Sequence, residues 1–243
     1  MRIAVIIQAR MNSERLPGKV LSPVLGRPLL EYQIDRVERV DFPHELVIAT
    51  TLGSADDPLA SFCKKKGVAC YRGSENDVLA RTAEAAATCS AEAVVRLTGD
   101  CPLTDPKILD HVVGRFLERA GRVDYVSNVL RRTYPRGLDC EVFTRSALES
   151  AHKFAALPAE REHVTLYIYS RPERFRLMGV ENAVDESLHR WTVDTAEDLE
   201  LVRRILTELY PADPKFEMND VLKLLAVHPD WASVNRAIQQ KGV

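Results

Sequence analysis

The run IAVII at residues 3–7 is short, uncharged and rich in β-branched side chains, and it leads straight into QARMNSERLPGKVL at residues 8–21. A strand of that composition calls for cover on both faces, which points to a mostly parallel sheet between helical layers. In such sheets ligands sit outside the carboxyl ends of the strands, where the segment after IAVII falls. That segment spaces Arg10, Arg15 and Lys19 over ten positions, with Pro17 and Gly18 turning the chain just before Lys19. Any one of the three is equally well a solvated loop cation. Together, with backbone amides at the strand end, they predict a grip for a polyphosphate such as a nucleoside triphosphate.

Strand and helix signals then alternate, the order expected of an α/β layer fold. Leu29, Leu30, Ile34 and Val37 share a helix face starting near Pro28, and strands are predicted at 45–50, 68–71 and 93–98. Helices are predicted at 56–66, 76–88 and from Pro106 onward, the last carrying Ile108, Leu109, Val112, Val113, Phe116 and Leu117 at near-helical spacing. From about residue 124 the alternation loosens: VDYVSNVL, GLDCEVF and RFRLMGV read as strands, with one helical stretch over roughly 144–169 between the latter two. Thr195 with Asp198 resembles an acidic capping box, and helices near 218–227 and 230–240 close the chain. No repeat or Gly/Ser-rich linker divides it, so one domain over 1–243 is expected, with a first half at 1–123, a second region at 124–194 and C-terminal helices at 195–243.

Lys plus Arg number 33 and Asp plus Glu 35, so no general basic field exists to hold nucleic acid. The first residues enter a strand directly, and nowhere do about 18 apolar residues run together, so neither leader nor membrane span is expected and the protein is placed in the cytoplasm. The five cysteines, Cys63, Cys70, Cys89, Cys101 and Cys140, are odd in number and lack CxxC spacing, and read as reduced, mostly buried thiols.

Two aspartates stand where strands should end. Asp100, in RLTGDCPL, lies between Gly99 and Pro102, and Asp194, in RWTVDTAEDLELV, directly precedes the capped helix. A turn-stabilising role for Asp100 and an N-cap role for Asp194 also suit the local sequence. If the two meet, they match what a hard divalent ion needs beside phosphate oxygens and water.

The motifs IIQARMNSERLPGKVL, RGSENDVLAR, RLTGDCPLTDP, YPRGLDCEVF, REHVTLYIY and RWTVDTAEDLELV follow one another along nearly the whole chain. Through them the chain resembles the CTP-dependent sugar-acid nucleotidyltransferases: acylneuraminate cytidylyltransferase, 3-deoxy-manno-octulosonate cytidylyltransferase and, most of all, the SpsF-like branch of spore coat polysaccharide biosynthesis. Gln8 stands where the first two usually carry proline, and the aspartate loop reads TGDCPL; both favour the SpsF-like branch.

The resemblance implies a three-layer α/β/α, Rossmann-like nucleotidyltransferase domain, with a mostly parallel sheet and a small β-containing subregion for acceptor binding or dimerisation. It assigns catalysis to Arg10, Lys19 and Asp100, and the nucleotide site to Ala9, Ser13, Arg15, Gly73, Ser74, Asp77, Arg81 and Thr98 as well. Asp100 and Asp194 would hold magnesium. The partners implied are CTP, a small acidic sugar and a second copy of the chain, and the reaction is CMP transfer with release of pyrophosphate, for surface polysaccharide synthesis.

For the acceptor, Arg136 offers a fork for a carboxylate, while Asp139 and Glu141, two apart, offer hydrogen bonds to sugar hydroxyls or form a solvent-facing acidic pair. Glu162 and His163 could reach the same pocket, His163 as a base or as a structural histidine. Rival readings are a nucleotidyltransferase for a phosphorylated or non-sugar acceptor, a glycosyltransferase, and a nucleotide-binding protein without turnover. A glycosyltransferase would usually carry DxD, yet Asp100 is followed by Asp105 only five residues on. A protein without turnover would be expected to lack a metal ligand or loop cation, and none is missing.

Overall fold

The computed structural model describes residues 1–239. From the amino terminus it contains β1 (Ile3–Gln8), a 3-10 turn at Lys19–Leu21, a small hairpin of β2 (Pro23–Val24) and β3 (Arg27–Pro28), α1 (Leu29–Val37), β4 (Glu45–Thr51), α2 (Asp57–Lys66) and β5 (Ala69–Gly73). Next come α3 (Val78–Thr88), β6 (Ala93–Thr98), α4 (Pro106–Glu118), β7 (Tyr125–Ser127), β8 (Glu141–Thr144), α5 (Arg145–Phe154), α6 (Pro158–Glu162) and α7 (Leu166–Tyr169). The rest is β9 (Leu177–Gly179), α8 (Ala196–Leu209), α9 (Met218–Val227) and α10 (Pro229–Ser233).

Seven strands form one sheet in the order β5-β4-β1-β6-β8-β7-β9, parallel throughout except for β8. Because side chains alternate across a strand, β1 feeds two cores. Ile3, Val5 and Ile7 pack with α1, α2, α4, α8 and α9, whereas Ala4 and Ile6 pack with α3, α5 and α7. Both faces are thus covered, as the uncharged IAVII requires, and the expected three-layer, mostly parallel architecture forms. A separate small antiparallel sheet exists as the β2–β3 hairpin.

The expected strands of the first half appear within a few residues of their predicted limits. The second region departs more. Its three strands shorten to three or four residues each and extend the main sheet. The predicted helix over 144–169 is three helices: Pro158 starts α6 anew and disfavours helix at Leu157, and Val164 takes a left-handed φ of 50° that separates α6 from α7. The predicted 230–240 helix ends at Ser233, and residue 240 lies outside the described residues. All five cysteines are free, and only Cys70 is not fully buried. Among the described residues no helix is long and apolar enough to cross a membrane.

Candidate active site

β1, β4, β5, β6 and β7 point the same way, so the loops after them leave from one edge of the sheet, and antiparallel β8 starts from that edge. Register places Gln8 beside Thr98 and Arg96 beside Glu141. The loop with Arg10 and Arg15, the loop with Asp100 and the segment before β8 therefore open onto one cleft of about 1070 Å³.

Lys19 lies at its centre. Gly18, at φ 74°, turns the chain into the left-handed region, and the 3-10 turn that follows buries Lys19 to 7% exposure. Its Nζ donates to Asp100 Oδ2 at 3.0 Å and to Asp194 Oδ1 at 2.8 Å. Burial works against the ammonium, but the two carboxylates outweigh it and hold the Lys19 pKa above the usual lysine value.

Asp194 arrives by a distinct route. The segment 190–193 runs alongside the loops of the cleft: Arg136 bridges in parallel to Arg190, and the Val193 N–H donates to the Asp100 carbonyl at 2.7 Å. The cap of α8 is Thr195, whose side chain accepts from Asp198 N, so the Asp194 carboxylate is left to the cleft. There it meets Arg15 at 3.0 Å and Arg190 at 2.7 Å as well as Lys19. Burial would raise its pKa, but Lys19 first, with Arg190 and Arg15, lowers it below the ordinary carboxylate value.

Two carboxylates converging on one cationic atom fit a hard divalent ion that keeps water and phosphate oxygens as its other ligands. Among the described residues, no group of three or more His, Cys, Asp or Glu is assembled for a closed cage. Asp105 is committed elsewhere: it caps α4 and accepts from Met218 N at 2.6 Å, which leaves no DxD-like pair. Thr98 Oγ1 donates to Asp100 Oδ1 at 2.6 Å, and burial keeps the neighbouring Cys101 thiol protonated, with its pKa well above the usual value.

The remaining predicted nucleotide residues fall on the same side. Ala9 and Ser13 line the cleft with exposed Arg10, whose ion pair to Glu75, at 3.9 Å, is long and half exposed. The segment after β5 lines it through Glu75 to Val78 and Arg81, whereas the predicted Gly73 and Ser74, just before, do not line it. Asp77 caps α3 by accepting from Ala80 N at 2.8 Å and takes a fork from Arg161 of α6. Arg81 is buried and donates to the Ser74 carbonyl, so both side chains hold the segment in place.

All five predicted acceptor residues line the cleft. Two carboxylates already have protein partners: Asp139 is forked by Arg132 at 2.6 and 2.8 Å, and buried Glu141 accepts from Tyr125 and Thr165 at 2.6 Å each and pairs with Arg96. The Arg136 guanidinium makes no hydrogen bond or ion pair among the described residues. Burial, with Arg132 and Arg190 nearby, lowers its pKa, so it favours an anion. Glu162 and His163 immediately precede Val164, whose backbone is left-handed.

Three contributors were not singled out in the sequence. Asp56 accepts from Met11 N at 2.6 Å and Thr51 N at 3.0 Å and so anchors the start of the cationic loop. Gln33, fully buried on α1, donates to the Thr98 carbonyl at 2.9 Å and to Thr104 at 3.1 Å, bracketing the Asp100 loop. Arg132 forms the fork on Asp139. A polar residue on the otherwise apolar stripe of α1 was the readable signal for Gln33; the other two carry none.

The cytidylyltransferase family model matches residues 4–223. The spore coat polysaccharide biosynthesis protein SpsF of Bacillus subtilis (strain 168) is 34% identical over 242 residues, which cover 97% of this chain and 98% of that protein. A solved cytidylyltransferase from Leptospira borgpetersenii serovar Hardjo-bovis shares 36% identity over the whole of both chains, with a TM-score of 0.91. CMP:2-keto-3-deoxy-manno-octonic acid synthetase, solved in complex with CTP, has a TM-score of 0.66 at 18% identity, over 86% of this chain and 99% of that one, a likeness of fold. Since the family match runs from β1 into α9 and takes in every element that lines the cleft, the chain belongs to the cytidylyltransferase family and is a nucleotidyltransferase.

Proposed function

We propose that this protein transfers CMP from CTP to a small acidic sugar, a 2-keto sugar acid, with magnesium and release of pyrophosphate, for surface polysaccharide synthesis. The observation that carries the reading is Lys19 bridging Asp100 and Asp194 in the same cleft that presents an Arg136 guanidinium with no hydrogen bond or ion pair among the described residues. The first arrangement suits a metal-bound triphosphate; the second suits an acceptor carboxylate.

Asp100 and Asp194 would hold the magnesium, which when bound neutralises phosphate charge and polarises the phosphorus under attack. Lys19, Arg10 and Arg15 bind the triphosphate and stabilise charge that develops as pyrophosphate leaves. The segment 75–81 bounds the nucleoside, and Arg136 turns the acceptor so that its hydroxyl faces the α-phosphorus. His163, which lines the cleft, would take the hydroxyl proton. Asp139 and Glu141 support the acceptor site by fixing Arg132 and Arg96.

The reading includes a cytoplasmic site of action, supported by five free thiols, and a homodimer, supported by exposed Leu130, Val184 and Leu188 on neighbouring loops. It is tested by pyrophosphate release with purified protein and magnesium, crossing CTP, UTP, GTP and ATP with 2-keto sugar acids and sugar phosphates. Release only with CTP and a keto acid is expected. Release with sugar phosphates alone, or with another nucleotide, would overturn the acceptor or the base assignment.

A further inference from the structure

Asp194 is held from behind by a chain of contacts that ends outside the family match. Arg190 Nη2 donates to Asp194 Oδ2 at 2.7 Å, while Arg190 forks onto Asp198 through Nε at 2.9 Å and Nη2 at 3.0 Å. Asp198, fully buried, also accepts the backbone N–H groups of Asp194 at 3.0 Å and Thr195 at 3.1 Å. A further donor comes from the carboxyl-terminal segment: Asn235 Nδ2 reaches Asp198 Oδ1 at 2.8 Å and the Arg190 carbonyl at 2.9 Å.

Asn235 is the one buried residue among 226–239, and it is polar. It lies beyond residue 223, where the family match stops. Packing alone would place an apolar side chain there. An amide instead fixes the orientation of the Asp198 carboxylate and, through it, the Arg190 fork, without adding charge to a cluster whose charges are already paired.

We propose that Asn235 is a positioning residue of the active site, acting through Asp198 and Arg190 to set the Asp194 carboxylate for a divalent cation. This rests on the reading of Asp194 as a metal ligand. Groups that orient metal ligands typically cost about 10- to 100-fold in metal affinity when removed.

The test measures Mn²⁺ binding to the full chain in the presence of CTP, from the electron paramagnetic resonance signal of free Mn²⁺, beside CTP binding in EDTA and thermal unfolding. Asn235→Ala is expected to weaken Mn²⁺ binding about tenfold and to leave metal-free CTP binding as in the wild type. Wild-type Mn²⁺ affinity in folded Asn235→Ala, or an equal loss of metal-free CTP binding, overturns the proposal. If the alanine variant fails to fold, Asn235→Leu, which keeps the volume and removes the donor, is read in the same assay: weakened Mn²⁺ binding supports the proposal and wild-type affinity overturns it. Asp194→Asn separates the two layers. Mn²⁺ binding that survives in Asp194→Asn overturns the metal reading itself; its loss there, with wild-type affinity in the Asn235 variants, overturns only the role of Asn235.

Discussion

Lys19 contributes a full charge held by two carboxylates in a largely buried position, so its geometry is set before substrate arrives. Removing such a preorganised charge costs about 3 to 4 kcal/mol of transition-state stabilisation. Lys19→Ala and Asp100→Asn are each expected to fold, by circular dichroism, and to release pyrophosphate on the order of 10² to 10³ times more slowly; near-normal turnover in either would remove it from the chemistry. Lys19, Asp100 and Asp194 were legible because each follows a recognisable strand or precedes a recognisable helix. Asp56 and Gln33 were not, since their partners lie 45 and 65 residues away and only the folded sheet edge brings them together. Asp56 also titrates. Burial would raise its pKa, but Thr51 and the Met11 N–H outweigh it and lower it below the ordinary value. A carboxylate with a depressed folded pKa stabilises the fold above its unfolded pKa and loses that contribution as pH falls through the folded one. Asp56→Asn should therefore be about 2 kcal/mol less stable than wild type near neutral pH, with the gap closing below about pH 4, in urea unfolding followed across pH. A gap unchanged down to strongly acidic pH would show that the charge is not what Asp56 contributes.

At the level of elements, the cleft depends on how closely β1 and β6 approach where they end. Gly99 N donates to the Gln8 carbonyl at 2.8 Å, and a Cβ on Gly99 would lie 2.8 Å from Ala9 Cβ and 3.2 Å from that carbonyl. Neither neighbour is a flexible side-chain end that can swing aside. Gly99→Ala is expected to push the two loops apart, costing about 1 to 3 kcal/mol in stability, the usual range for overpacking. CTP affinity should fall alongside, since Lys19 and Asp100 ride on the separated loops. Calorimetric titration with CTP beside thermal unfolding measures both, and a variant unchanged in both would mean that the strand ends tolerate the extra carbon. Most strands and helices of the first half were readable because periodicity and capping agree there. The stretch 144–169 was not, because its apolar and alanine-rich pattern continues across a break set by Pro158 and by the left-handed backbone at Val164. Asp105 was likewise read only by its distance from Asp100, whereas its position before Pro106 made it the cap of α4.

For the whole molecule, the alternation of strands and helices indicated the layers but not the strand order. Nothing local in GLDCEVF says that β8 will run antiparallel and insert between β6 and β7, because that pairing joins segments distant in sequence and is chosen by which edge of the growing sheet remains unpaired. The insertion has a mechanical consequence. β7, β8 and β9, the strands of the second region, continue the sheet started by β1 and β6 through shared hydrogen bonds, and one buried cluster runs from Ile3 to Leu225. The region that carries Arg136 therefore shares its core with the region that carries Lys19, and neither can unfold without exposing the other's apolar face. We expect one cooperative unfolding transition for the full chain, although two halves with different tasks can be drawn along the sequence. The probes are distinct: far-UV circular dichroism reports all helices, while tryptophan fluorescence reports chiefly on buried Trp191, beside the Asp194 segment, and on Trp231 in α10. Coincident curves in urea would show that the cleft is built by a single folding unit. An early fluorescence change with retained dichroism would show instead that the Arg190 to Asp198 region and the C-terminal helices open on their own, and that the geometry of Asp194 is set separately from the sheet.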